Sequence, residues 1–221
     1  MAIIRACTKL LTKPQLSVSQ CRHLFGGWLN SVTNQYDPDR VKQVGPDKAA
    51  AEWAVRCGAG VKWMGSAKYE RDYNSLGGDG KKLKEIDGTD STMMSVGFQY
   101  LRGLTELDKI VIKRNHYLDD RALEMLELVK DSLTRIEIVS CSNVTDNGIN
   151  SLANLKGLRY VFLADLPSVK SPTYSVDLIK KATSHQATVT WGELDKHMDI
   201  NGQVPPTPRI MPDIDDKTKI E

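Results

Sequence analysis

The sequence has no long apolar stretch and no surplus of charge of either sign. No apolar run approaches the roughly 18 residues that a membrane-spanning helix needs, and the 30 basic residues nearly balance the 28 acidic ones. The four cysteines, at positions 7, 21, 57 and 141, form no Cys-x-x-Cys pair. These absences argue against a membrane span, a global field that recruits nucleic acid or anionic lipid, a disulfide framework and a cysteine-rich zinc site.

Acidic residues are absent from the first 36 positions. The first is Asp37, whereas four basic residues precede it: Arg5, Lys9, Lys13 and Arg22. Apolar side chains that can gather on one side of a helix accompany them, namely Ile3, Ile4, Leu10 and Leu11. Such composition is typical of a mitochondrial transit peptide, which we assign to residues 1–24, with cleavage before Phe25. The alternative is an ordinary basic N-terminal segment.

One apolar pattern occurs three times along the chain. The middle copy consists of Leu133, Ile136, Ile138, Cys141, Val144, Gly148, Ile149 and Leu152. A shift of 26 positions back finds Leu107, Ile110, Ile112, Asn115, Leu118, Ala122, Leu123 and Leu126, and a shift of 25 forward finds Leu158, Val161, Leu163, Leu166 and Val169. Each copy reads L-x-x-L-x-L-x-x-(N/C)-x-x-L, with Leu166 in place of Asn or Cys in the last. This is the signature of leucine-rich repeats.

Elementary chemistry explains this pattern. Ile136 and Ile138 alternate with polar residues and therefore point inward from a short strand. Asn115 or Cys141 can satisfy backbone groups in the following turn, and Asp119-Asp120 or Thr145-Asp146 can cap the next helix. We therefore predict an α/β fold, a short leucine-rich-repeat solenoid of about four and a half repeats over residues 80–192. Its least regular strands lie around residues 86–90 and at Ala187, Val189 and Trp191.

The segment before the repeats reads as helical. Asp37-Pro38 predicts a helix start with proline in the first turn, and Gly45-Pro46-Asp47 predicts a second start. Cys57-Gly58 predicts the end of that helix, and a strand is expected at Val61 and Trp63. We assign residues 25–79 to a small helical domain that covers the open core of the first repeat. Residues 193–221, with four prolines and mixed charge, are expected to be a disordered tail.

Nothing in the sequence predicts an enzyme. The four histidines, at positions 23, 116, 185 and 197, lack the spacing of metal ligands. The glycine- and lysine-rich run over residues 77–82 lacks the spacing and the hydroxyl of a phosphate-binding loop, so we expect a plain flexible loop there. The remaining candidate is the repeat surface that faces away from the core. Its expected partner-binding residues include exposed aromatics beside basic side chains: Lys109, Lys113, Arg114, Arg135, Tyr160 and Phe162. The alternative is that the C-terminal strand or tail covers the two aromatics.

A family resemblance covers residues 28–169. Its distinctive motifs include Val44-Gly45-Pro46-Asp47, Arg56-Cys57-Gly58-Ala59, Asp72-Tyr73-Asn74, Ile138-Val139-Ser140-Cys141 and Leu163-Ala164-Asp165-Leu166-Pro167. In these motifs the sequence resembles the mitochondrial ATP synthase coupling factor B family, also called ATP synthase subunit s. That family is grouped with the distal membrane arm assembly component 2 proteins of respiratory complex I.

The resemblance implies a matrix protein, peripheral to the inner membrane, that binds the membrane sector of ATP synthase and supports coupled proton transport. It also implies a structural Mg²⁺ held by backbone carbonyls, at the positions of Gly58 and Thr89. Where the family carries a Cys-x-Cys pair tied to coupling, this chain has Lys113 and Asn115, so a dithiol role is not expected. Two alternatives stay open: an assembly factor for the complex I membrane arm, and an F-box-type ubiquitin-ligase adaptor with similar repeats.

Overall fold

A computed structural model describes residues 30–192. Its helices are α1 (Pro38–Val44), α2 (Pro46–Arg56), α3 (Asp120–Glu124), α4 (Asp146–Ser151) and α5 (Pro172–Ala182). The strands are β1 (Gly60–Trp63), β2 (Leu83–Asp87), β3 (Lys109–Lys113), β4 (Arg135–Val139), β5 (Tyr160–Ala164) and β6 (Thr188–Gly192). Residues 30–34 are helical, and 3-10 turns occupy Tyr73–Ser75, Ser95–Leu101, Met125–Val129 and Leu152–Asn154. The assigned transit peptide and tail lie outside the described residues.

The six strands form one sheet in chain order, which confirms the α/β class. β1 and β2 are antiparallel, and every later neighbour is parallel. Ile110, Ile136 and Val161 lie side by side in register, as the 26- and 25-residue shifts predict. The irregular last strand is confirmed as β6. The first repeat strand lies earlier than predicted, because β2 ends at Asp87 and residues 88–90 turn the chain.

The turn after each strand is held by the side chain that the pattern singles out. Asn115 accepts hydrogen bonds from the backbone N–H of Tyr117 (2.7 Å) and Leu118 (3.0 Å), and its amide donates to the Met93 carbonyl (3.0 Å). The Cys141 thiol, at the equivalent position, donates to the Val139 carbonyl at 3.4 Å. Both side chains thus serve backbone groups, as predicted, but the amide does so with more and shorter bonds.

The predicted helix caps also connect consecutive units. Asp119 and Thr145 accept hydrogen bonds from N–H groups in the first turns of α3 and α4. Asp120 accepts the N–H of Thr145 at 2.7 Å, and Asp146 in turn accepts the N–H of Ser171 at 2.7 Å. The acidic residue at each helix start therefore holds the cap of the following unit.

The N-terminal helices begin and end where the sequence predicts. Asp37 accepts two first-turn N–H groups of α1, and Gly45, with φ of 84°, separates α1 from α2. The Trp53 ring of α2 stacks on Tyr100 at a centroid distance of 5.7 Å. A Cβ built on Gly97 would lie 2.1 Å from Nε1 of Trp53, so only glycine allows this contact. α2 thus packs on the β2–β3 connection, within one core that also contains the strands. The domain boundary at residue 79 stays a prediction.

The glycine-rich run over residues 77–82 is a loop, as predicted, but it is tied to the fold. The Lys48 ammonium donates to the carbonyls of Leu76 (2.7 Å) and Gly77 (2.6 Å). Glu70 accepts the N–H of Gly77 at 2.9 Å, and the Trp63 ring fills the space beside Gly78. The flexibility of the loop stays a prediction, and local composition does not reveal these contacts from Lys48 and Glu70.

Candidate partner-binding face

One side of the sheet carries side chains that alternate with those of the core. Because neighbouring strands are in register, these side chains form rows across β3, β4 and β5. Their members define what we call the sheet face: Lys109, Val111, Lys113, Arg135, Glu137, Val139, Tyr160, Phe162 and Ala164. It brings together five of the six predicted partner-binding residues, and Arg114 follows directly after β3.

Glu137 occupies the middle of the sheet face and binds two lysines. Its carboxylate lies 2.7 Å from Nζ of Lys109 and 2.8 Å from Nζ of Lys113, which ties β3 to β4. Burial alone would raise the pKa of Glu137, but the hydrogen bonds and charges of the two lysines outweigh it and hold the pKa below its ordinary value. We call these three residues the lysine triad.

The predicted basic anchors are not free charges. Arg114 forms a two-pronged ion pair with Asp90, at 2.7 and 2.6 Å, and Arg135 binds Asp108 at 2.8 Å. The side chain of Lys113 is only 11% exposed. It is a largely buried member of the triad, because Glu137 draws its ammonium down onto the sheet, and its role in partner binding stays a prediction.

The sequence suggested exposed aromatics on the sheet face. In the structure, both Tyr160 and Phe162 are partly buried. Phe162 lies over Gly192 of β6, where a built Cβ would meet the ring at 3.4 Å. Burial raises the pKa of Tyr160, and the nearby charge of Glu137 adds to the effect. The last strand thus covers part of Phe162, as the alternative interpretation expected, and leaves the rest of the ring accessible.

A row of left-handed residues borders the sheet face, and sequence reasoning missed it. Asp90, Arg114, Ser140 and Asp165 follow four adjacent strands with φ of 57°, 52°, 54° and 49°. None of them is glycine, so the usual sign of a left-handed turn is absent. Side chains within the row bond to one another, since the Ser140 hydroxyl donates to Asp165 at 2.6 Å. Only the repeat register could have revealed this row, because it places these four residues at equivalent positions of successive repeats.

The two positions implied for Mg²⁺ belong to adjacent segments. Gly58 lies two residues after the end of α2, with φ of 86°, and a Cβ built on it would lie 3.9 Å from Cα of Ser91. The Cys57 carbonyl accepts the Thr92 N–H at 2.8 Å, which joins the end of α2 to the turn after β2. These contacts place the end of α2 beside the turn after β2, and the Mg²⁺ site at the carbonyls of Gly58 and Thr89 stays a prediction. Within residues 30–192, no group of three or more His, Cys, Asp or Glu side chains is placed to hold a metal ion.

The cysteines in the described region are buried thiols. Burial raises the pKa of Cys57 and of Cys141 to about 11 each. At neutral pH both therefore remain protonated and weakly nucleophilic. Lys113 and Asn115 occupy the positions of the implied Cys-x-Cys pair. Lys113 belongs to the lysine triad, and Asn115 holds the turn after β3.

The helices of the described residues are too short or too polar for any of them to cross a lipid bilayer. No family model matches the sequence. Mitochondrial ATP synthase subunit s of Rattus norvegicus is 45% identical over 164 residues, which cover 72% of this chain and 82% of the rat protein. The chain belongs to the mitochondrial ATP synthase subunit s family. The bovine subunit s (Bos taurus) is 44% identical over 172 residues (75% of this chain, 86% of the bovine one), and the human subunit s (Homo sapiens) is 43% identical over 164 residues (72% and 82%).

Proposed function

We propose that this chain is a non-catalytic accessory protein of the mitochondrial ATP synthase. It binds peripherally to the membrane sector, from the matrix side of the inner membrane, and supports coupled proton transport. Identity of 43–45% to relatives that are named as subunits of this complex carries the proposal. A binding role also agrees with the chemistry of the sheet face, whose ionised groups pair with one another instead of converging on a substrate.

The proposed architecture is a short leucine-rich-repeat solenoid with α1 and α2 as its N-terminal cap. The parallel register of β3, β4 and β5 at 26- and 25-residue intervals supports it, as do the equivalent turns at Asn115 and Cys141. Stacked units of this kind present one extended surface, which suits the binding of a protein partner. The proposed binding residues remain the basic and aromatic members predicted above, with Tyr160 and Phe162 as the anchors.

Affinity purification tests this proposal. A tagged chain is expressed in mitochondria, solubilised in mild detergent and compared with the variant Tyr160→Ala/Phe162→Ala. We expect ATP synthase subunits to be enriched with the unmodified chain and reduced at least about tenfold with the double variant, because such anchors dominate interfaces. Tyr174→Ala is the matched control, since Tyr174 is a 62% exposed aromatic of α5, outside the sheet face.

Three outcomes would contradict the proposal. Enrichment of complex I subunits instead of synthase subunits would favour the assembly-factor alternative. A cytosolic or nuclear location of the tagged chain would favour the F-box-type adaptor. Unchanged capture by the double variant, with its thermal unfolding midpoint close to that of the unmodified chain, would exclude the sheet face as the binding surface.

We also propose a weak, structural Mg²⁺ site at the carbonyls of Gly58 and Thr89. Bound Mg²⁺ would link the end of α2 to the turn after β2, and binding to the folded state alone raises stability. We expect 5 mM MgCl₂ to raise the unfolding midpoint by about 1–3 °C, and about 15 mM KCl, which has the same ionic strength, to leave it unchanged. Equal effects of the two cations would contradict the site.

A further inference from the structure

The lysine triad carries one more positive than negative charge, and the nearest carboxylates of β2, Glu85 and Asp87, are paired with Lys62 and Arg71. Two ammonium groups share the single carboxylate of Glu137, whereas neighbouring ion pairs match one cation to one anion: Lys62 with Glu85, Arg114 with Asp90 and Arg135 with Asp108. Each ammonium has three N–H donors and can bind a second acceptor. Lys109 is the more accessible of the two, with 23% of its side chain exposed against 11% for Lys113. The triad can therefore accept one further carboxylate.

An apolar surface lies directly beside the triad. Phe162 is the register partner of Glu137 on the next strand, so the ring lies about 5 Å across the sheet from the residue that gathers the two ammonium groups. Val139 and Ala164 are also register partners beside the ring, but both are already buried, so Phe162 supplies the accessible apolar surface. Cationic and apolar subsites thus adjoin each other on one rigid surface.

The spacing of these subsites matches an extended peptide. In an extended chain, residues i and i+2 point to the same side and are about 7 Å apart, so a segment that crosses neighbouring strands obliquely places one side chain over each subsite. Asp165, at the far end of β5, disfavours a carboxylate placed on that side. A bound segment therefore has its acidic residue over the triad and its apolar residue over Phe162.

We infer that the sheet face binds an extended segment of a protein partner in which an aspartate or glutamate and an apolar residue are separated by one residue. The inference rests on the proposed function, because it specifies what the face recognises in its partner. Charge complementarity selects the acidic residue, and burial against Phe162 stabilises the apolar one. Nothing in this scheme needs a pocket, since the peptide lies across the strands.

A peptide titration tests this inference. The probe is a ten-residue synthetic peptide with one aspartate, one serine and one phenylalanine in sequence within a glycine–serine background. It is added to the ¹⁵N-labelled full chain, and amide shifts are followed by NMR. We expect shifts confined to β3, β4 and β5. Replacing the peptide's aspartate by asparagine, or its phenylalanine by alanine, should weaken binding about fivefold, as is typical for loss of one exposed charge or apolar contact.

Lys109→Met is the decisive variant of the chain. It removes the surplus charge but leaves the Lys113–Glu137 pair, so the fold is retained, and binding of the aspartate peptide should fall about fivefold. Lys130→Met is the matched control, because it changes the net charge equally at a 51% exposed lysine outside the sheet face. Raising the salt concentration from 50 to 500 mM should reduce the difference between the aspartate and asparagine peptides.

Equal affinity of the aspartate and asparagine peptides, or an unchanged affinity in Lys109→Met, would overturn the inference. So would peptide binding that occurs only when residues 193–221 are removed, since the chain's own C-terminal segment would then be the occupant. A wrong proposed function would give a different result from a wrong inference. The peptide would bind as expected, but purified complexes would contain no ATP synthase subunits.

Discussion

The two ends of the sheet differ in how deeply they are buried. At the β1 end, eight of the eleven residues of α2 are buried, and both Trp53 and Trp63 are fully buried. At the β6 end, two of the eleven residues of α5 are buried, and Trp191 is only partly covered. Buried apolar area is the main source of folding free energy, so the β1 end contributes more of it.

From this difference we expect the β1 end to stabilise the fold and the β5–β6 end to bind the partner. The β1 end resembles the interior of a domain, with Phe98 and Tyr100 packed against Trp53 at centroid distances of 5.6 and 5.7 Å. The β5–β6 end keeps partly covered aromatic surface at Tyr160 and Phe162, which a partner can bury further. We therefore expect substitutions near β1 to affect folding, and those near β5 to affect binding at smaller cost in stability.

Exchanging a tryptophan for alanine at each end gives the largest contrast. Trp53→Ala removes a fully buried ring and its hydrogen bond to Asn34, and should lower the free energy of unfolding by about 3–5 kcal/mol. Trp191→Ala should cost about 1–2 kcal/mol, because that ring is partly exposed. Urea denaturation followed by circular dichroism measures both. Equal losses would show that the two ends are equally important for folding.

The two equivalent turns give the next largest contrast. Asn115→Ala leaves the N–H groups of Tyr117 and Leu118 and the Met93 carbonyl without their partner, which should cost about 2–3 kcal/mol. Cys141→Ala, nearer the β6 end, loses only weak thiol bonds and a small buried volume, at about 1 kcal/mol. The same urea titration compares them. A larger loss in Cys141→Ala would contradict the assigned roles.

Sequence reasoning succeeded where the determining contacts are local or periodic. The register of Ile110, Ile136 and Val161, the turn role of Asn115 and the helix start at Asp37 all follow from spacing or from neighbours along the chain. It failed where contacts join distant segments. The fit of Trp53 against Gly97, the binding of two lysines by Glu137 and the clamp of Lys48 on Gly77 depend on a tertiary arrangement that no local pattern encodes.

Acid should weaken the middle of the sheet face through Glu137. Because the folded state lowers the pKa of this carboxyl, its stabilising contribution is present above the unfolded-state value of about 4.3 and is lost as the pH falls through the lower folded-state pKa. At pH 7, Glu137→Gln should cost about 1–2 kcal/mol, and the difference from the unmodified chain should shrink below about pH 4. Urea midpoints between pH 7 and pH 3 measure it, with the exposed Glu127→Gln as control. A difference independent of pH would contradict the ionic role of Glu137.

The smallest expected effect concerns the left-handed row. Arg114→Ala and Arg114→Gly both remove the exposed ion pair with Asp90, but only glycine adopts a φ of 52° without steric cost. Glycine should therefore be more stable than alanine here by about 0.5–1 kcal/mol, the reverse of their order inside a helix. Ser140→Gly and Ser140→Ala, one strand nearer the β6 end, should repeat this order if the row is a property of the repeated turn. Thermal unfolding of the four variants measures the differences. Alanine as the more stable residue at both positions would mean that the turns relax into another conformation. If alanine were more stable at one position only, the left-handed turn would be required at one end of the sheet and not at the other.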